Sequence, residues 1–321
     1  LTLEYSTEEL TSAGKAALFS VILYLFEPLS VFFTVPLHYQ GLSRKKHSVV
    51  LLSVIAVILV ITIRESIRYG GGGNAEGSLV FFLFGFGLPL TLAVAAGAFY
   101  MMRPLKVTRR LGIIFGAFGL LGVLLVGLFR ANSELVAETM SLVEGNIDQI
   151  IGGVGVGNML PPQQMAAAVV YTIERSLLLM FMVQFGIAFG AAWEFYKRKK
   201  SIPVSLLAKV KVPERFVWVL IISWTIVLFD IIFGLGLLGV IGWNAGLAAG
   251  LVYLLQGLAI LQHFIWKKKN LAFSGLHLCG MLALLMLVPG LNMIGIAALG
   301  ILGITEVWIT YRKQENKENK Q

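Results

Sequence analysis

The sequence predicts an all-α fold, a polytopic transmembrane helix bundle with about nine membrane segments. Three observations lead there. Hydrophobic residues make up 57% of the 321 positions and charged residues only 13%, with a mean hydropathy of +0.83. Soluble domains carry about 25% charged residues. The apolar residues fall in blocks of roughly 18–25, the length that crosses a hydrocarbon layer of about 30 Å as a helix. The basic residues cluster in alternate connections between those blocks, the signature of spans that reverse direction each time. Lipid offers the backbone no hydrogen bonds, so each block must be helical, and the alternating pattern of a membrane β-barrel is absent.

The blocks lie at roughly 15–37, 48–66, 78–102, 109–130, 165–195, 214–235, 243–266, 271–288 and 291–311. The first is ambiguous: Pro28 and Pro36 interrupt it and Glu27 sits beside the first proline. It reads either as one kinked span or as a broken, re-entrant hairpin, and the hairpin is favoured. Pro89 is expected to kink the third block, because proline removes a backbone bond. Between the fourth and fifth, residues 131–164 carry Glu134, Glu138, Glu144 and Asp148 among Leu135, Leu142, Val143, Ile147, Ile150 and Ile151 at near-helical spacing. That pattern predicts an amphipathic helix on the outer membrane face, ended by the glycines between Gly152 and Asn158. Gly70–Gly73 read as a flexible linker. Within the blocks, Gly112, Gly116 and Gly119, then Gly246 and Gly250, then Gly295, Gly300 and Gly303 suggest close helix packing. Residues 1–313 form one transmembrane domain on this reading, and 314–321 a disordered cytoplasmic tail. No cleavable leader is expected from the acidic start, with Glu4, Glu8 and Glu9.

Arg44, Lys45 and Lys46 follow the first block, and Arg103, Lys106, Arg109 and Arg110 follow the third. Lys197–Lys200, Lys209, Lys211 and Arg215 follow the fifth, and Lys267–Lys269 the seventh. Arg312, Lys313, Lys317 and Lys320 close the chain. Together these are 21 of the 26 basic residues, which places those connections and the C-terminus in the cytoplasm of a multi-pass inner (plasma) membrane protein. The net charge of +9 is therefore topology, with membrane lipid as the partner of the basic ends and no nucleic acid implied.

Ionisable groups inside the bilayer are the strongest functional signal, since each is unstable there unless paired or hydrated. Glu174 and Arg175 in the fifth block, Asp230 in the sixth, and Asn244 and Gln256 in the seventh fall toward one side. They form the candidate ligand-binding set, with Arg175 paired to Asp230 and Glu174 left for a ligand or a proton, or else with a purely structural ion pair joining two helices, and with Glu27 close by if the first block is a hairpin. Neighbouring Glu174 and Arg175 point about 100° apart on a helix, so they need different partners. Toward the other side, His277 and Glu306 flank the Pro289–Asn292 turn at matching depth, as a proton-carrying or purely structural pair, with His263 near them. Gln256 and Gln262 are expected to face protein, and His38 and His47 to be solvated near the first basic connection.

No phosphate-binding loop, GxSxG, CxxC or HExxH motif occurs, and the single Cys279 excludes an intrachain disulfide. No catalytic residue, cofactor or metal is expected, and the chain is not read as an enzyme. The first reading is a transporter-like bundle binding a small molecule of unknown identity, the second a structural or regulatory scaffold that docks a cytoplasmic protein, and a membrane enzyme acting on a lipid-linked substrate ranks last.

Three stretches carry a likeness. Val212–Trp218 (VPERFVW), Asn244–Gln262 with Tyr253-Leu-Leu-Gln-Gly257 inside it, and Leu302–Arg312 (LGITEVWITYR) resemble the YybS-like family of bacterial membrane proteins, defined by a domain of unknown function. The last stretch has Glu306 where that family more often has Asp, and Pro36, Leu37 and Gly41 resemble an N-terminal pattern of it. The family is distantly similar to the substrate-binding components of energy-coupling-factor vitamin importers. The resemblance therefore implies a membrane-embedded fold that binds a small molecule, and it supplies neither a substrate nor catalytic residues.

Overall fold

In a computed structural model the described residues are 6–43, 46–70, 86–154, 161–200, 211–269, 291–309 and 311–312. They are helical, with no strand among them. The α-helices are α1 (Thr7–Leu25), α2 (Val35–Ser43), α3 (His47–Gly70), α4 (Leu88–Met101), α5 (Val107–Ala131), α6 (Ser133–Val154), α7 (Pro162–Lys200), α8 (Val217–Phe233), α9 (Leu237–Lys269) and α10 (Leu291–Thr305), with 3-10 turns at Glu27–Phe32 and Glu214–Phe216. Among the described residues, five helices are long and apolar enough to cross a membrane: His47–Ile67, Val107–Ala131, Pro162–Lys200, Glu214–Phe233 and Leu237–Ile265. They match the second, fourth, fifth, sixth and seventh blocks and mark a membrane-embedded helical protein. The eighth block, with Cys279 and His277, lies outside the described residues, as do the Pro289–Gly290 end of the turn and the tail. The third and ninth blocks appear as the shorter apolar helices Leu88–Met101 and Met293–Thr305.

The chain divides into two compact units. The first comprises Leu1–Tyr196 and Gly236–Asn244, the second Lys197–Leu235 and Ala245–Gln321.

In the first unit the ambiguous first block is broken into α1, a 3-10 turn and α2. Ser6 caps α1 in a reciprocal arrangement with Glu9. The Ser53 hydroxyl of α3 donates to the Ala13 carbonyl at 3.2 Å, and the Tyr24 hydroxyl of α1 donates to Glu65 of α3 at 2.8 Å. Contacts thus advance together along both helices, and Lys46 pairs with Glu9 at 2.8 Å where both begin. Helices α1 and α3 are parallel, so the chain must return between them. Nineteen residues of α1 rise about 28 Å at 1.5 Å each. The six-residue 3-10 turn and nine-residue α2 cover about 26 Å on the way back. Pro28 and Pro36 sit in the first turns of these two pieces, where no helical N–H is lost. Pro89 stands in the first turn of α4, directly after a π-helical turn at 86–87, and the earlier part of its block, 78–85, lies outside the described residues.

This return places α2 in the interior. Leu37 and His38 are fully buried and Gln40 nearly so. The expectation of a solvated His38 is thereby overturned, because α2 is covered by α1, α3, α4 and α7. The His38 ring is bracketed by Phe99, Tyr100, Phe185 and Phe189, with centroids 4.8–6.5 Å away. The Tyr100 hydroxyl donates to the His38 carbonyl at 2.9 Å and lies 3.3 Å from Nδ1. His47, by contrast, is exposed.

Helices α5 and α7 run antiparallel, as Arg130–Glu174, Gly119–Leu178, Phe118–Phe181 and Phe115–Phe185 follow one another in opposite order. Phe118 stacks on Phe181 at 3.7 Å. Arg103 donates to the Gly41 carbonyl and Arg110 to the Arg103 and Leu105 carbonyls, so this basic connection caps its own backbone. Asn132 caps α6 through the Glu134 and Leu135 amides. The half-buried Leu135, Leu142, Val143 and Ile147 face away from the exposed Glu134 and Asp148. The helix continues through Gly152 and Gly153 to Val154, beyond the expected break.

In the second unit α9 and α10 are antiparallel and cross with backbones in direct contact at Gly257 and Gly303. Val212, Val217 and Tyr253 form the apolar core beside that crossing. Of the other glycines assigned to packing, Gly119 meets Leu178 and Gly246 meets Ser223 and Trp224, whereas a Cβ at Gly112, Gly116, Gly250 or Gly300 would have nothing within 4 Å among the described residues. Helical spacing identifies a stripe and says nothing of which helix lies across from it.

Candidate functional site

The candidate site is built on α7, a 39-residue helix. At about 1.5 Å per residue it is roughly 58 Å long, far more than a bilayer core requires. Glu174 and Arg175, each 7% exposed, sit in its first half. Arg130, from the last turn of α5, grips the Glu174 carboxylate. Nη2 lies 2.5 Å from Oε2, and Nε lies 3.2 Å from both oxygens. This two-pronged geometry is the strongest form of arginine–carboxylate pairing. Arg175 Nη1 lies 3.8 Å from the same carboxylate, and its guanidinium stacks over the Tyr171 ring at 3.3 Å, a cation–π contact.

Asn244 approaches the same turn of α7. Its Nδ2 donates to the Glu174 carbonyl at 2.8 Å and its Oδ1 accepts the Leu178 amide at 2.9 Å. Residues 174 and 178 are the i and i+4 positions that an uninterrupted α-helix bonds to each other. One side-chain amide therefore engages both polar groups of a single rung, an insertion that can bend a helix locally, while α7 stays helical from Pro162 to Lys200. This clasp sits directly beside the charged cluster. For N244A, the two released groups can close on one another, so the expected loss of stability is small, about 1 kcal/mol or less. The expected structural effect is a straighter α7. Spin-label distances between its two halves should lengthen; an unchanged distance would show that Asn244 merely decorates an already regular helix.

The five residues expected to bind a ligand belong to both units, each taken by itself. Glu174, Arg175 and Asn244 are brought together in the first unit. Asp230 is buried in the second, at the end of α8, which stops at Gly234 in the left-handed conformation (φ 64°). Gln256 is also in the second unit, where it fastens backbone to backbone. Its Oε1 accepts the Val212 amide at 2.6 Å and its Nε2 donates to the Gly303 carbonyl at 2.8 Å. Gln256 and Gln262 are buried against protein, as expected. Glu27 is exposed in the 3-10 turn. Of the His277–Glu306 pair, His277 falls outside the described residues, and Glu306 is held by Arg312 through two contacts of 2.6–2.7 Å. Among the described residues no three His, Cys, Asp or Glu side chains converge to hold a metal.

Three charged residues carry partners that the sequence does not reveal. Arg130 ends the fourth block, and its partner 44 residues away is invisible without knowing that α5 and α7 are antiparallel neighbours. Glu65 and Arg64, at the end of the second block, satisfy the same intramembrane-charge criterion that singled out Glu174. They gain a partner in Tyr24 only once α1 is known to run parallel to α3. Comparison of the chain with protein-family models, with curated proteins and with solved structures finds no match.

Proposed function

We propose that the chain is a multi-pass inner-membrane protein of transport type, with its basic connections and C-terminus in the cytoplasm, that takes a small molecule at the Glu174–Arg130–Arg175 cluster. One observation carries this reading: a cluster of charged side chains lies where Asn244 engages both polar backbone groups of one rung of a membrane-length helix. Polar backbone and ionisable side chains are retained together at bilayer depth chiefly where a ligand or ion is handled. The resemblance to the YybS-like family, and through it to vitamin-binding membrane components, supports the same reading.

The guanidiniums of Arg130 and Arg175 suit a ligand bearing a carboxylate or phosphate, admitted by exchange with Glu174. Native mass spectrometry of protein purified in its own lipids is the test. The wild type is expected to carry a small anionic molecule that R130A loses. Spectra free of any such adduct, joined to full activity of R130A in cells that need the protein, would remove the proposal.

A second reading, a structural or regulatory scaffold docking a cytoplasmic partner, is favoured by one fact. Both Glu174 oxygens already accept from Arg130, so the carboxylate is satisfied within the protein. On that reading the paired apolar replacement R130L/E174L folds and functions as well as the wild type.

A further inference from the structure

We propose that the seam between α1 and α3 binds a small monovalent cation, a proton or a sodium ion, on the second carboxylate oxygen of Glu65. Glu65 is 2% exposed. Its Oε1 accepts the Tyr24 hydroxyl at 2.8 Å and Arg64 Nη1 at 3.1 Å, while its Oε2 is enclosed and meets no hydrogen-bond donor. One turn back on the same face of α1, Ser20 is fully buried and its hydroxyl is also without a partner. Thr62, Thr172, Ser176 and Ser223 all turn their hydroxyls onto the carbonyl four residues earlier, the default for these residues in a helix. Ser20 does not, a property it shares with Thr139 of α6, and Ser20 alone of the two is in the helix that also brings Tyr24 to Glu65.

The same seam thus contains a bare anionic oxygen and an unengaged hydroxyl, and buried polar atoms in folded proteins are nearly always satisfied. The missing partner must be positive or a donor, to match Oε2. Buried Ala17, Val57 and Ile61 pack the same cluster, which favours a guest of atomic size. Hard monovalent ions take oxygen ligands of this kind. Arg64 does not already fill the role. It reaches only Oε1, its side chain is 28% exposed, and it lies over the Tyr24 ring at 4.9 Å, so solvent screens part of its charge. Of the other described charges on the elements packed against α1, Glu27 of the 3-10 turn is exposed. Helix α4 carries none, the His38 of α2 is enclosed by Tyr100 and three phenylalanines, and the charged residues of α1 (Glu8, Glu9 and Lys15) lie in its first half.

The test is thermal unfolding of the full chain in lipid nanodiscs, comparing sodium chloride with choline chloride at equal ionic strength, each at alkaline and mildly acidic pH. A ligand that binds only the folded state raises the melting temperature. For the wild type the expected rise is about 2–4 °C. A rise with sodium identifies sodium. A rise with acid in choline alone identifies the proton. Either response must vanish in E65Q. R64Q, which removes the competing charge, should shift the response to roughly tenfold lower cation concentration. Should E65Q not fold, S20A carries the test: it is expected to match the wild type in choline and to lose most of the cation response. Equal responses in wild type, E65Q and S20A would overturn the proposal. The measurement needs no transported substrate, so it stands or falls separately from the ligand site at Glu174.

Discussion

Replacing Gly303 by alanine is expected to prevent the second unit from packing. A Cβ at this position would overlap the Tyr253 carbonyl, and one at Gly257 would overlap the Leu299 carbonyl. Both obstacles are backbone, held in helices on either side, so no side-chain rotation relieves them. The helices must separate instead, which breaks the Gln256–Gly303 hydrogen bond and loosens the clasp on Val212. Overpacking a rigid core costs about 1–3 kcal/mol and sometimes more; a backbone-on-backbone clash belongs at or above the top of that range. G303A and G257A should therefore each lower the unfolding midpoint in denaturing detergent by far more than any other alanine replacement in α9 or α10. G250A, whose new methyl meets nothing within 4 Å, is the internal control and should be nearly silent. Should G303A and G250A unfold together, the close crossing is wrong.

Truncating Arg130 to alanine carries the second large effect. Glu174 would remain 7% exposed with only Arg175, 3.8 Å away, to offset its charge. Breaking a buried pair by removing one member costs about 3–5 kcal/mol. Arg130 is itself about a third exposed (32%), so about 2–3 kcal/mol is expected here after allowing for solvent screening. R130K should recover only part, since an ammonium cannot span both oxygens. The double replacement R130L/E174L should recover most of the stability. Unfolding midpoints of the four proteins give this cycle directly. Stability restored without function would place a ligand at the cluster, and stability restored with function would make the pair a helix fastener. R130A as stable as the wild type would mean that the pair does not form.

Much of this molecule is legible along the chain. Composition and block length determine that it is helical and membrane-embedded, because a backbone in lipid has to satisfy its own hydrogen bonds within each segment. The cost of burying charge likewise marks Glu174, Arg175 and Glu306 as residues needing partners. These are properties of single segments and can be read one segment at a time.

Partners are not. That Glu174 meets Arg130, that Gln256 fastens a crossing where a ligand was expected, and that His38 is enclosed where solvent was expected all depend on which helix lies beside which. The same holds for glycine: Gly112, Gly116 and Gly257 look alike in sequence, yet only Gly257 has a backbone against it. Periodicity shows the face a helix presents. Only the tertiary structure decides what stands opposite that face, because contacts between helices join residues tens of positions apart through packing that no local pattern encodes.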